Sequence, residues 1–210
     1  MSIPMYFAGN WKDSVNTKCF RTAQMGYGFH KDGSLRLPKP GCHADMCVID
    51  DANLPQTLPD LHLLAAAAMN GCCFDFERQP SPAHKQLLEA MLPKLRGMIL
   101  LPEAFSCPGA LPLVRAIGLC NDWHSFVRRA KQRHPHGWAL ELSPCRYRRD
   151  AAGLPDAETH LNTAGYCCRV KSGVLEYYDT KATVRAKLET AARHGCQVMI
   201  GLYEEFEGLE

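Results

Sequence analysis

Two patterns of apolar and polar residues alternate along the second half of the chain. Short apolar runs such as MILLPEA from Met98 and WALELSP from Trp138 have the length of buried strands. Between them lie segments with apolar residues at helical spacing, such as NDWHSFVRRAKQRH, which begins at Asn121 or Asp122 and ends near Gly137. Strands that alternate with helices predict a parallel sheet with helical crossovers.

Two of the predicted helices have recognisable ends. In SPAHKQLLEAMLPKLRG, Ser81 suits the N-cap and Pro82 suits the first helical position. The segment DTKATVRAKLETAARHG predicts a helix that is capped by Thr180 and stopped by Gly195. Both helices lead directly into a further apolar run, as strand-helix units require.

Eight strand candidates predict a compact (β/α)8 barrel of the TIM type, and an open doubly wound sheet is the alternative. Helical patterns are hardly visible in the first forty-five residues, so the barrel is inferred mainly from the rest of the chain. The candidates are PMYFAGNW, TAQMGYGFH, MCVIDDANLP, CCFDFE, MILLPEA, LPLVRAIG, WALELSP and CQVMIGLY.

One segment interrupts the strand-helix order. Two β-like runs in GYCCRVKSGVLEYYD flank Lys171, Ser172 and Gly173, which predicts a β-hairpin. It belongs to an insertion of about residues 145–179 between the seventh and eighth strands, within a single domain of residues 1–210. Insertions that follow a barrel strand lie at the catalytic mouth.

Composition and charge are ordinary for a soluble globular protein, with 46% hydrophobic and 22% charged residues. The formal net charge of +2 gives no reason to expect a nucleic-acid partner. The N-terminus does not resemble a signal peptide, and no apolar run approaches the ~20 residues of a membrane helix. We therefore expect no membrane partner. The sequence gives no indication of oligomeric state.

The cysteines and histidines form no metal-binding pattern. The eleven cysteines include no CxxC, and the nine histidines include no HExxH. Several cysteines lie in apolar runs, where a reduced thiol acts as a small hydrophobe. We expect a protein of a reducing, cytoplasmic compartment, with no bound metal.

Two acids stand in an otherwise apolar run, NGCCFDFE. Asp75 and Glu77 are two residues apart, so in a strand they point to one face, while Phe74 and Phe76 point to the other. Two neighbouring carboxylates disfavour the ionised form of one of them, which is a property of acid catalysts.

This run resembles the DGxDxDxE signature on the fourth strand of glycoside hydrolase family 18, the chitinase-like barrels. Asp75 and Glu77 match the last Asp and the Glu, while Asn70 and Cys73 stand where the family has acids. The segment from Gly165, GYCCRVKSGVLEYYDTKATVRAKLETAARHGCQVMIGLYEEF, is similar to the family's closing segment. There, a hairpin ends in Tyr-Asp, a helix carries a Lys, and the eighth strand follows.

The resemblance implies a mechanism and a substrate. Glu77 would be the general acid that protonates the leaving glycosidic oxygen, and Asp75 would orient the substrate's own N-acetyl group, which acts as the nucleophile. The implied ligand is a carbohydrate, a β-linked N-acetylhexosamine glycan of the chitin or peptidoglycan type. This route requires no cofactor.

The barrel interpretation places further polar residues at strand exits, where they would form an acidic mouth suited to a polyhydroxylated or cationic ligand. The predicted substrate contacts are Tyr147, Glu103, Asp50, Asp51, Glu141 and Glu204. Asn10, Trp11 and Glu205 belong to the same set of exits.

Two departures from the family keep other functions open. Gly201 or a residue near it stands where the family has the Trp of its aromatic floor, and LPLVRAIGLCND lacks the sixth-strand Met-x-Tyr-Asp pattern. One alternative is therefore a catalytically inactive barrel that binds a glycan or a protein partner. Another is a barrel enzyme of unrelated chemistry that uses the acidic residues with a metal.

Overall fold

A computed structural model of the protein describes residues 3–11, 20–38, 44–116, 122–159, 165–207 and 209. The strands are β1 (Met5–Gly9), β2 (Arg21–Phe29), β3 (Leu35–Arg36), β4 (Met46–Asp50), β5 (Gly71–Asp75), β6 (Met98–Pro102), β7 (Leu111–Ala116), β8 (Trp138–Leu142), β9 (Arg146–Asp150), β10 (Ala157–Thr159), β11 (Cys167–Lys171), β12 (Val174–Tyr178) and β13 (Cys196–Leu202). The helices are α1 (His62–Ala68), α2 (Pro82–Met91), α3 (Trp123–Arg133), α4 (Lys181–Arg193) and α5 (Tyr203–Phe206).

The strand order is that of a closed eight-stranded parallel barrel of the (β/α)8 type. The hydrogen-bonded order is β1, β2, β4, β5, β6, β7, β8 and β13, and β13 pairs with β1. The fold predicted from the sequence is confirmed. The alternative of an open doubly wound sheet is wrong, because such a sheet has two unpaired edges, whereas here β1 pairs with both β2 and β13.

The first strands are joined by short connections. Strand β2 turns through Gly33, whose φ of 83° suits a glycine, and returns as the antiparallel β3. No helix lies between β2 and β4 in the described part of that connection, residues 30–38 and 44–45. Between β6 and β7, the chain forms only the 3-10 turn Glu103–Phe105. The connection from β2 to β4 accounts for part of the weak helical pattern in the first forty-five residues.

The chain divides into two compact units, the first of residues Tyr6–Leu113 and the second of Met1–Met5 with Val114–Glu210. In the first unit, α1 and α2 bury an apolar cluster with β4, β5 and β6. Leu64, Phe74 and Leu87 are fully buried in this cluster. Burial of each such side chain contributes about 1.5–3 kcal/mol to folding.

The helix ends follow the sequence prediction. Ser81 caps α2, Asp122 caps α3, and Thr180 caps α4 in a capping box with Thr183. Gly195, with a φ of 85°, follows the end of α4. None of the described helices is long and apolar enough to cross a membrane.

The insertion in the second unit is larger than a hairpin. Strands β11 and β12 form the predicted hairpin, with Lys171 opposite Val174 and a turn through Ser172 and Gly173, both at positive φ. Strands β9 and β10 extend it to a four-stranded antiparallel sheet of order β10-β11-β12-β9. Strand β9, at one edge, is exposed along its whole length.

A buried ion pair joins this sheet to α4. Lys187 Nζ lies 2.8 and 2.7 Å from the two carboxylate oxygens of Asp179, and both side chains are almost completely buried. The same carboxylate accepts hydrogen bonds from the Cys145 backbone N–H and the Thr183 hydroxyl. Asp179 and Lys187 stand where the family's closing segment has its Asp and its helix Lys, and their ion pair holds α4 against the end of the insertion.

Candidate active site

Side chains at the end of β5 alternate between the two faces of the strand. The rings of Phe74 and Phe76 are 5.3 Å apart and belong to the core that α1 and α2 cover. Asp75 is half-buried and Glu77 is exposed, on the opposite face, because successive residues of an extended chain alternate. This is the alternation that the sequence predicts, although β5 ends at Asp75 and Glu77 lies two residues beyond it.

Asp75 lies beside a second acid that carries an ion pair. Asp50 on β4 is its register partner, so both carboxylates leave the sheet on one face. Arg36 from β3 pairs with the Asp50 carboxylate, and both side chains are half-buried. Gly28 leaves room for this pair, because a Cβ there would come within 2.9 Å of Arg36 Nη2. The guanidinium offsets repulsion among the acids of this face.

Asp51, the next residue, is 2% exposed, and its carboxylate lies against His84 of α2. Its Oδ1 accepts the backbone N–H of Glu77 at 3.1 Å, and its Oδ2 accepts that of Arg78 at 3.0 Å. Burial acts to raise the pKa of Asp51, but hydrogen bonds from the His84 side chain and from the Arg78 and Glu77 backbone act to lower it, and this pKa lies below its ordinary value. The predicted substrate contact for Asp51 does not fit this placement, because its carboxylate is occupied inside the protein.

His84 is a residue of this site that the sequence does not reveal. Its Nε2 lies 2.9 Å from Asp51 Oδ2, and its Nδ1 lies 2.7 Å from the hydroxyl of Ser81, the N-cap of α2. The ring packs against Phe76 and Phe105, with centroids 4.8 and 4.9 Å away. Asp51 and His84 are 33 positions apart, so no local motif joins them.

The remaining predicted residues of the first unit lie at strand exits. Glu103, in the 3-10 turn after β6, is half-buried. Trp11, after β1, donates from Nε1 to the Ala23 carbonyl at 3.1 Å, and Asn10 is exposed. Their contact with a substrate stays a prediction.

In the second unit, one of the acids predicted to contact substrate forms an ion pair and another is exposed to solvent. Glu141 on β8 accepts from Arg115 Nε on β7 at 2.7 Å, and both side chains are half-buried. Glu204 is exposed in α5, and its neighbour Glu205 accepts a hydrogen bond from the Ser143 hydroxyl. A carboxylate held by a guanidinium presents fixed acceptors, whereas an exposed glutamate is free to change rotamer.

Tyr147 lies on the insertion sheet beside a cavity of about 510 Å³. It is 47% exposed, and its ring centroid is 6.2 Å from that of Tyr177 on β12. The cavity is also lined by Arg146, Arg148 and Glu176. Aromatic rings with nearby hydrogen-bonding groups are the usual components of a site for a polar organic ligand.

Position 201 has no room for a side chain. A Cβ on Gly201 would come within 2.6 Å of the Leu142 carbonyl oxygen and within 2.6 Å of the Phe206 ring. The tryptophan of the family's aromatic floor therefore cannot be accommodated at this position in the present backbone.

The described residues contain no group of three or more His, Cys, Asp or Glu side chains arranged to hold a metal ion. The eight cysteines in the part of the chain that the structure describes are free thiols. Burial, followed by the charge of Asp179, raises the pKa of Cys145 to about 11, so this thiol is protonated at neutral pH.

No family profile matches the chain, and no curated protein is similar to it in sequence. Solved structures do match. A mutant class V chitinase from Nicotiana tobaccum, in complex with NAG4, is 8% identical with a TM-score of 0.59, covering 99% of this chain and 95% of that chain.

Two spore cortex-lytic enzymes named SleL also match. The Bacillus cereus enzyme is 13% identical with a TM-score of 0.57, over 100% of this chain and 72% of that chain. The Bacillus megaterium QM B1551 enzyme is 11% identical with a TM-score of 0.53, over 99% and 71%. At these identities the similarity concerns the fold alone: the (β/α)8 barrel of this chain is similar to the folds of the chitinase and of the two cortex-lytic enzymes.

Proposed function

We propose that the protein is a glycoside hydrolase that cleaves β-linked N-acetylhexosamine glycans of the chitin or peptidoglycan type. Glu77 is the general acid and Asp75 is its partner. The observation that carries the proposal is the position of these two acids at the exit of β5, opposite a buried pair of phenylalanines. Matches to a chitinase and to spore cortex-lytic enzymes support this class.

The proposed reaction has two steps. In the first, Glu77 protonates the glycosidic oxygen while the carbonyl oxygen of the substrate's N-acetyl group attacks C1. The C1–O glycosidic bond breaks, the leaving sugar departs as an alcohol, and Asp75 accepts a hydrogen bond from the N-acetyl N–H. In the second, the Glu77 carboxylate takes a proton from water as that water attacks C1 and opens the cyclic intermediate. The configuration at C1 is retained, and no cofactor takes part.

We propose Tyr147 as a substrate contact. Its exposed ring beside Tyr177 supplies apolar surface for a sugar face, and the nearby arginines supply donors for hydroxyl or acyl oxygens. Glu103, Asp50, Glu141 and Glu204 are the proposed acceptors for sugar hydroxyls.

The packing at Gly201 favours a second candidate function, a catalytically inactive barrel that binds a glycan or a protein partner. The Leu142 carbonyl and the Phe206 ring leave no space for a tryptophan platform at this position. A protein of this kind would bind oligosaccharide with equal affinity before and after neutralisation of Glu77, and would release no product.

Hydrolysis of fluorogenic chitotriose and of peptidoglycan fragments tests the proposal. Glu77→Gln should lower turnover about 10²–10⁴-fold, the usual contribution of a general acid. Glu89→Gln is the matched control, because Glu89 is exposed on α2, and it should leave turnover unchanged. Wild-type protein that is folded and inert on both substrates would contradict catalysis, and calorimetric titration with the same oligosaccharides would then test binding.

A further inference from the structure

The segment that carries Glu77 is not fixed by regular secondary structure. It lies after the last residue of β5 and before Ser81, the N-cap of α2. The consecutive N–H groups of Glu77 and Arg78 both donate to the carboxylate of Asp51, which belongs to the turn after the neighbouring strand β4. The position of the Glu77 backbone therefore depends on where that carboxylate is held.

We propose that His84 is a positioning residue for Glu77 and acts through Asp51. This inference rests on the proposed role of Glu77 as the general acid. His84 does not touch the substrate: it is 3% exposed and holds the carboxylate on which the two N–H groups depend.

The direction of each hydrogen bond follows from the acceptor-only character of Asp51. An ionised carboxylate only accepts, so Nε2 of His84 carries the hydrogen that reaches Oδ2. In the neutral ring Nδ1 is then an acceptor, and the Ser81 hydroxyl donates to it across 2.7 Å. The chain of bonds runs from the cap of α2, through His84 and Asp51, to the backbone of Glu77.

The ring has a fixed orientation as well as fixed partners. The Phe76 and Phe105 rings enclose it at centroid distances of 4.8 and 4.9 Å. The guanidinium of Arg78 donates to the Ala52 carbonyl. Among the described contacts of the Asp51 carboxylate, His84 is thus the side-chain donor and the two N–H groups are the backbone donors.

A small displacement of Glu77 would be costly for catalysis. Proton transfer requires the acid within hydrogen-bond reach of the leaving oxygen, and a misplacement of about 1 Å can lower the rate about 10²-fold. Without the His84 bond, the Asp51 carboxylate would keep two donors and could rotate. The segment that carries Glu77 would move with it.

Two substitutions of similar polarity test this inference. In His84→Gln, the amide nitrogen can take the place of Nε2 and reach Asp51. In His84→Asn, the shorter side chain ends near the position of Nδ1 and cannot reach it. Gln86→Asn, at an exposed position of α2, is the matched control.

On chitotriose we expect His84→Asn to lower kcat about 10–100-fold, with KM within about threefold of wild type. His84→Gln and Gln86→Asn should remain within about threefold of wild type in both constants. Equal kcat for His84→Asn and His84→Gln, with both proteins folded, would overturn the inference. So would a loss that appears only in KM.

Hydrogen exchange of the Glu77 and Arg78 amides provides a readout that does not need turnover. We expect faster exchange of these two amides in His84→Asn than in His84→Gln, with core amides of β5 unchanged. If wild type hydrolyses no glycan, the proposed function fails, and the exchange rates alone decide whether His84 holds the segment. Equal exchange in the two variants would show that it does not.

Discussion

At the scale of single residues, Gly201 shows how local packing can exclude any side chain from a position. The residue has no side chain because the Leu142 carbonyl oxygen and the Phe206 ring occupy the space where a Cβ would lie. Leu142 ends β8, and Phe206 ends α5, directly after β13. The absence of a side chain at this position is therefore tied to the local backbone and to a neighbouring aromatic ring.

Gly201→Trp should destabilise the protein by about 1–3 kcal/mol or more, because overpacking displaces the backbone. Thermal unfolding measures the effect. The double variant Gly201→Trp with Phe206→Ala should remain destabilised, because the Leu142 carbonyl still lies 2.6 Å from the new Cβ. A single variant as stable as wild type would contradict the packing described here.

The buried ion pair of Asp179 and Lys187 makes a second prediction at this scale. Lys187→Met should cost about 3–5 kcal/mol in the free energy of unfolding, because it leaves the Asp179 charge uncompensated. Denaturant titration measures this value, and Arg185→Met, an exposed position of the same helix, should change it by less than about 0.5 kcal/mol. Equal effects of the two substitutions would show that the pair is not needed.

The orientation of a side chain could be predicted only where it follows from the residues next to it in the sequence. The alternation of Phe74, Asp75, Phe76 and Glu77 follows from strand geometry alone. The contact of Asp51 with His84 and with the Glu77 backbone could not be predicted, because these partners come from two later segments of the chain. The sequence does contain one local signal of a histidine at a helix start: the spacing from Ser81 to His84 places His84 at the third position of a capped helix.

At the scale of elements, the connection from β5 to α2 is fixed by side chains rather than by a regular turn. Asp51 holds the start of the connection, and Ser81 caps the helix at its end. His84 links the two. A change in the charge of Asp51 should therefore loosen the whole connection.

The lowered pKa of Asp51 predicts how this contribution depends on pH. Folding favours the ionised carboxylate, so its contribution is complete above the ordinary value of 3.8 and is lost as pH falls through the lower value of the folded state. Asp51→Asn should lower the free energy of unfolding by about 1–3 kcal/mol at pH 7. The difference from wild type should shrink below about pH 4. A difference that is constant from pH 7 to pH 3 would contradict the assignment.

Elements with local signals were predictable, and elements that depend on distant pairing were not. The strand-helix alternation and the caps at Ser81 and Thr180 follow from residues within a few positions. Strand β3 and the outer strands β9 and β10 are short or fully polar, and they exist because a neighbouring strand pairs with them. No periodicity of their own marks such strands.

At the scale of the whole molecule, the chain achieves a (β/α)8 strand order although two of its connections lack an α-helix among their described residues. These are the connections from β2 to β4 and from β6 to β7. The chain nevertheless matches a class V chitinase over 99% of its own length and 95% of that chain. In the proposed function the fold contributes a set of strand exits, and β5 supplies the acid pair there.

The most direct test of Glu77 as proton donor compares two leaving groups in Glu77→Gln. An unactivated chitotriose needs protonation of its leaving oxygen, whereas a dinitrophenyl glycoside of the same sugar leaves as a stable anion. In kcat/KM, which reports only the step that expels the leaving group, we predict a loss of about 10²–10⁴-fold on chitotriose and of less than about tenfold on the dinitrophenyl substrate. Equal losses on both substrates, or no loss on chitotriose, would contradict the role of Glu77 as the general acid.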